Sequence, residues 1–207
     1  MRTQMFTQQN GDRPSVANIA ILLTDGVSNV NAFDTIPEAE KVRADNIHIY
    51  GIDSGNVRIG AVLYSTDVEI QFHLNEYSTK QEVIDAVREI PYVYGSTNTY
   101  GGLNVMRTQM FTQQNGDRPS VANIAILLTV GVSNVNAFDT IPEAEKVRAD
   151  NIHIYGIGIG LADTKELSKI ASPPISENMF VVKTFDELSV LKEKVFEQFY
   201  PGRYEHV

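Results

Sequence analysis

Ile124-Ala125-Ile126-Leu127-Leu128-Thr129-Val130-Gly131-Val132-Ser133-Asn134 is an apolar run closed by a glycine turn, and the chain contains it twice. Its other copy is Ile19 to Asn29. A short continuous apolar run that ends in a turn reads as a central strand of a parallel sheet, covered on both faces. The identity extends well beyond the strand: Met1 through Ile52 aligns with Met106 through Ile157, and the one disagreement is Asp25 against Val130. A carboxylate at the C-terminal tip of such a strand would face the crevice where doubly wound sheets bind ligands. The most suggestive acid of the chain therefore stands in one of two otherwise identical units.

Working outward, each copy opens with Met-Arg-Thr-Gln-Met-Phe-Thr-Gln, which reads as a helix end stopped by Asn-Gly-Asp-Arg-Pro-Ser. After the strand, Thr35-Ile36-Pro37-Glu38 and its twin Thr140-Ile141-Pro142-Glu143 have capping-box spacing and an early proline, so a short helix is expected to open there. Ile47 to Ile52, and again Ile152 to Ile157, read as strands. Between the copies, Val57 to Tyr64 and Val68 to Leu74 form an expected hairpin, followed by a capped amphipathic helix from Ser78 to Ile90. A hydroxyl-rich loop, Tyr94 to Gly102, comes next. Past the second copy the pattern gives a helix over Asp163 to Ala171, a strand over Asn178 to Lys183, and a final helix capped by Thr184-Phe185-Asp186-Glu187 and running to about Phe199.

Strands alternating with helices at this spacing predict an α/β fold: a doubly wound, mostly parallel sheet with one antiparallel edge strand and helices on both faces. A length of 207 residues suits one such domain. The organisation expected is a single domain over 1–207, in which the duplicated segment 1–52 stands in for a first strand and helix. Residues 53–199 form the remainder and 200–207 a tail. A 52-residue block that returns once after unrelated sequence is not a solenoid period.

The chain has 17 basic and 26 acidic residues, a formal charge of -9, which argues against nucleic acid and favours cations or basic protein surfaces. Cysteine is absent, so neither a disulfide framework nor a thiolate metal site is available. The longest apolar runs are strand-sized, no membrane partner is expected, and no signal peptide is visible at Met1-Arg2-Thr3-Gln4. Gly156-Ile157-Gly158-Ile159-Gly160 lacks dinucleotide-loop spacing and reads as a tight strand exit, while the four histidines show no ligand spacing. Nucleophile elbow, phosphate loop and zinc-protease helix are all missing, so no enzymatic activity is expected.

Three landmarks in order, Arg58-Ile59-Gly60-Ala61-Val62-Leu63-Tyr64-Ser65, Gly95-Ser96-Thr97-Asn98-Thr99-Tyr100-Gly101-Gly102-Leu103 and Ile126 to Ser133, resemble a von Willebrand factor type A domain of the matrilin and collagen VI kind. The resemblance covers roughly Val57 to Phe199. It implies an extracellular, non-enzymatic adhesion or matrix module whose partner is a matrix protein such as a collagen. It also implies a metal-ion-dependent adhesion site at the top of the sheet, taking Mg²⁺, Mn²⁺ or Ca²⁺ through oxygen ligands. The family threonine falls on Thr97, and the family aspartate after the fourth strand falls on Val130. If copy one fills the first-strand place, Ile19 to Thr24 is that strand, Asp25 matches the first ligand and Asn29 takes the place of a serine. A site reduced to Asp25, Asn29 and Thr97 implies weak or absent metal binding.

Two other readings stand beside this one. The near-perfect repeat suits an engineered duplication made to probe folding or strand exchange, and the fold class alone suits a nucleotide-binding enzyme. Two identical segments competing for one place also imply a strand-exchanged homodimer.

Overall fold

The computed structural model describes residues 18–24, 57–91, 93–184 and 187, and within 18–24 the side chains of Ala20 and Ile21 alone. Six strands form one sheet in the order β3-β2-β1-β4-β5-β6. In chain order they are β1 (Asn18–Thr24), β2 (Arg58–Tyr64), β3 (Val68–Phe72), β4 (Asn123–Thr129), β5 (Ile152–Ile159) and β6 (Met179–Val182). All neighbours are parallel except β2 and β3, whose antiparallel pairing puts the hairpin at the edge. The α/β class and the single antiparallel edge strand expected from the sequence are what the sheet shows.

β1 and β4 are two copies of Asn-Ile-Ala-Ile-Leu-Leu-Thr lying side by side, in register from Asn18 opposite Asn123 to Leu23 opposite Leu128. Strand order reverses between them, which makes the C-terminal ends of β1 and β4 the switch point of the sheet. Alternation along the pleat divides the side chains between the faces. Ala20, Val62, Tyr64, Ala125, Leu127 and Ile154 face one main core. The helices closing that core are α2 (Thr99–Val105), α3 (Ala137–Ala149) and α4 (Lys165–Ile170), through residues such as Leu103, Ala144, Val147, Leu167 and Ile170. On the other face α1 (Lys80–Glu89) sets Val83 and Val87 against Ile59, Ala61, Leu63 and Phe72. Burying Val83, Val87, Ile59, Leu63 and Phe72 stabilises by about 2 kcal/mol each before the entropy of ordering is subtracted.

Local sequence explains the helix ends. Thr79 caps α1: its hydroxyl accepts the Glu82 N–H at 3.3 Å while the Glu82 carboxylate accepts the N–H groups of Thr79 and Ser78 at 3.0 and 3.1 Å. Those bonds hold the exposed Glu82 carboxyl below its ordinary pKa. The Met-Arg-Thr-Gln-Met run of copy two continues α2 as a π-helical turn over Met106–Met110, burying both methionines. A four-residue helix, α5 (Ile175–Asn178), precedes β6 and was not expected.

The capping box expected at Thr140 is corrected by the structure. α3 has its N-cap four residues earlier, at Asn136 in the left-handed conformation (φ 48°), and Thr140 lies inside the helix, fully buried with its hydroxyl unpaired. Glu143 is not a capping side chain either. Its completely buried carboxylate accepts from Arg107 Nε at 2.8 Å, Asn104 Nδ2 at 3.0 Å and Lys146 Nζ at 3.1 Å. Arg107 reaches on to Asp150 at 3.2 Å. Burial pushes the Glu143 carboxyl up, but the hydrogen bonds from Arg107, Lys146 and Asn104 outweigh it and hold the group below its ordinary value. A local capping pattern lost here to a tertiary partner, Arg107, which sits 36 residues away in sequence. The strand expected over Ile47 to Ile52 and most of the final helix lie outside the described residues.

Candidate functional site

Among the described residues, the loops after β2, before α2 and after β4 meet at the C-terminal rim of the sheet. After β2, the turn Ser65-Thr66-Asp67 closes with the Ser65 N–H donating to the Asp67 carbonyl at 2.8 Å. The loop that leads into α2 is stitched over this turn: Asn98 N–H donates to the Ser65 carbonyl at 2.9 Å, and Ser96 N–H to the Thr66 hydroxyl at 3.0 Å. Gly95 permits the approach, because a Cβ there would collide with the hydroxyls of Ser65 and Thr66. Asn98 then caps α2 by accepting the Gly101 N–H at 2.9 Å. Gly102 lets the helix lie against the Tyr64 ring, where a Cβ would come to 3.0 Å of the ring Cγ.

Thr97 sits in the middle of this arrangement and is 3% exposed. Its N–H donates to Asn134 Oδ1 at 2.8 Å and its carbonyl accepts the Asn134 and Val135 N–H groups at 3.0 and 3.3 Å. That clamp joins the α2 loop to the β4 exit. A Cβ on Gly131 would stand 3.3 Å from the Thr97 hydroxyl, so the hydroxyl faces the residues that follow β4. Thr97 therefore lies beside the turn that follows β4. Asp25 and Asn29 lie outside the described residues, so their relation to Thr97 is not part of this geometry.

Val130 is half-buried and packs with Ile126 and Leu128 against the cluster of Ile157, Ile159 and Val182. It thus points to the sheet face opposite Leu127 and Thr129. Thr129 turns the chain by donating its hydroxyl to the Gly131 carbonyl at 2.7 Å. Beyond it Ser133 is anchored by α4: its N–H and its hydroxyl both donate to Glu166 Oε2, at 2.8 and 3.0 Å. The one nearby carboxylate of α4 is thereby directed at a backbone amide and a hydroxyl. Ser133, Asn134 and Glu166 were not singled out in the sequence, where a serine, an asparagine and a helix glutamate carry no signal without the contacts that join them.

The glycines of β5 also differ from their sequence reading. Gly156 and Gly158 lie within the strand, under Leu167 and Leu161, and Gly160 alone (φ 64°) makes the exit. A small cleft at the rim is lined by Thr99, Leu127, Thr129, Gly131, Asp163 and Glu166. The exposed Val132 also lines it. Among the described residues no three His, Cys, Asp or Glu side chains converge as metal ligands. Of the metal ligands expected from the sequence, Thr97 is the one among the described residues, and a single hydroxyl does not make the shell of a hard divalent cation, which takes six or more oxygens including carboxylates. No described helix is long and apolar enough to cross a membrane.

Comparison with known proteins adds a family. The family model of the von Willebrand factor type A domain matches this chain twice, over residues 1–57 and 50–194. The collagen alpha-4(VI) chain of Mus musculus is 33% identical over 147 residues, 69% of this chain and 6% of its own length. Matrilin-2 of Mus musculus is 35% identical over 144 residues, 68% of this chain and 15% of its own length. This chain therefore spans a small fraction of those relatives. Proximal thread matrix protein 1 from the mussel byssus superposes with a TM-score of 0.75 at 26% identity, covering 88% of this chain and 47% of that one. A further structure of that protein, with a zinc-occupied MIDAS motif, gives a TM-score of 0.74 at 26% identity over 88% of this chain and 48% of that one.

Proposed function

The chain belongs to the von Willebrand factor type A domain family, and from that premise we propose that it is a non-enzymatic, protein-binding module of the extracellular matrix type with a degraded divalent-cation site. The observation that carries the reading is the exit of β4. There the Thr97 hydroxyl faces Gly131, and Val130, in the place of the family aspartate, packs against Ile157, Ile159 and Val182. A branched apolar side chain supplies no oxygen and no charge, and carboxylates are what offset the cost of stripping water from Mg²⁺ or Mn²⁺.

The ligands left to such a site are Thr97, Asp25, which follows Thr24 directly, and Asn29. Relatives named as collagens and matrilins support an extracellular setting and a matrix-protein partner such as a collagen. A second partner is another copy of the chain, joined by exchange of the segment 1–52. The one-mismatch repeat over 52 positions also favours a duplication, made or recent, whose function descends from its parent domain.

Calorimetric titration with Mn²⁺ tests the site. The present chain should show weak or no saturable heat, and Val130→Asp should bind more tightly. Tight binding by the present chain, or no gain from the substitution, would overturn the reading. Adhesion to collagen-coated surfaces should survive EDTA; abolition by EDTA would mean that an intact cation site carries the binding.

A further inference from the structure

β1 and β4 present the same seven residues to each other, parallel and with each residue from Asn18 to Leu23 opposite its own copy. The heptapeptide Asn-Ile-Ala-Ile-Leu-Leu-Thr has no charge, no proline and no glycine, and three of its residues are β-branched. Short segments of that composition are the ones that stack on themselves in register as cross-β assemblies. In the folded molecule both copies are protected. β1 is paired by β2 and β4, and β4 by β1 and β5, so neither offers an open edge.

We propose that this heptapeptide is a homotypic assembly element whose partner is a second copy of the chain. When β1 leaves the sheet, both of its own edges open, and its pairing with β4 shows the heptapeptide accepting its own sequence in parallel register. Each freed β1 then stacks between the freed β1 strands of two other molecules. Every addition leaves a new open edge, so growth continues into open-ended, parallel, in-register assemblies. The inference shares with the exchange proposed above the step in which β1 leaves the sheet. It differs in outcome, since reciprocal exchange closes after two molecules and stacking does not.

The absence of cysteine makes a clean test possible, because Thr24→Cys gives the full chain a single attachment point for a nitroxide. After incubation at the foot of the thermal unfolding transition, growth should be seeded by preformed assemblies. The paramagnetic spectrum should collapse to one exchange-narrowed line, as expected for labels stacked about 4.8 Å apart. A resolved three-line spectrum in the assemblies, or no association at all, overturns the proposal. A species that stops at the dimer overturns it too while leaving strand exchange standing. As a second handle, the double variant Asn18→Lys with Asn123→Lys stacks like charges at the head of the segment. It should lengthen the lag by about tenfold or more, and an unchanged lag overturns the proposal.

Discussion

Copy one and copy two place the same heptapeptide in adjacent strands, and the neighbours of each copy separate their roles. Ala20 and Ala125 are both completely buried in the main core. On the opposite face the equivalents diverge: Ile21 packs toward Val83 and Val87 of α1, whereas Ile126 packs toward Ile157, Ile159 and Val182. Among the described residues, copy two also carries the Arg107–Glu143–Lys146 cluster and the Asn134 clamp on Thr97, whereas the equivalent positions of copy one lie outside them. Identical sequence thus gives identical backbone structure and pleat, while its packing partners are assigned by position in the sheet.

The comparison can be broken most severely by removing one copy. Deleting residues 1–52 takes out the strand that joins β2 to β4, and cooperative unfolding in a denaturant titration should be lost; a truncated chain that melts as sharply as the parent would show β1 to be dispensable. Next in size is Glu143→Ala, which leaves Arg107 Nε and Asn104 Nδ2 without their acceptor and should cost about 3 kcal/mol in chemical denaturation. The equivalent change in copy one, Glu38→Ala, sharpens the contrast. An equal cost would mean that the two copies have equivalent surroundings at that position.

Ala20→Leu and Ala125→Leu probe the places where the copies should agree. Both overfill the same closed core and should each cost about 2 kcal/mol, with matching shifts in denaturant midpoint. A large disparity would mean that the helices over β4 hold it more tightly than those over β1.

The pH dependence is smaller and follows from Glu143. Its folded pKa lies below the ordinary value of 4.5. Its contribution is therefore complete above that value and lost as pH falls through the folded pKa. Stability followed by denaturant midpoint should fall in that acid window, and Glu143→Gln should flatten the slope there. Smallest is the one position at which the copies differ. Val130→Asp sets a carboxylate at the margin of the Ile157 cluster and should lower stability by about 1 kcal/mol without metal. A stabilised variant would mean that the valine contributes nothing to that apolar face.

The fold was largely legible in residues 57–184 because the apolar periods there are unambiguous. An uninterrupted run gives β4, alternation gives the hairpin, and the Thr79–Glu82 spacing gives the start of α1. The candidate site was legible in part. Thr97 was singled out through the family resemblance of its loop, whereas Asn134, Ser133 and Glu166 act through contacts between segments 33 to 37 residues apart.

By itself the sequence determined the class of fold, the family, the absence of enzyme motifs and the position of the single mismatch, since each is written in local spacing or direct identity. Tertiary structure alone decided that Thr140 lies inside a helix and that Glu143 closes a buried ion cluster. It also set the two identical strands side by side in register and turned Val130 toward Ile157. Those outcomes depend on which distant side chain fills the neighbouring space, and a repeat whose two halves read alike carries no local record of its neighbours.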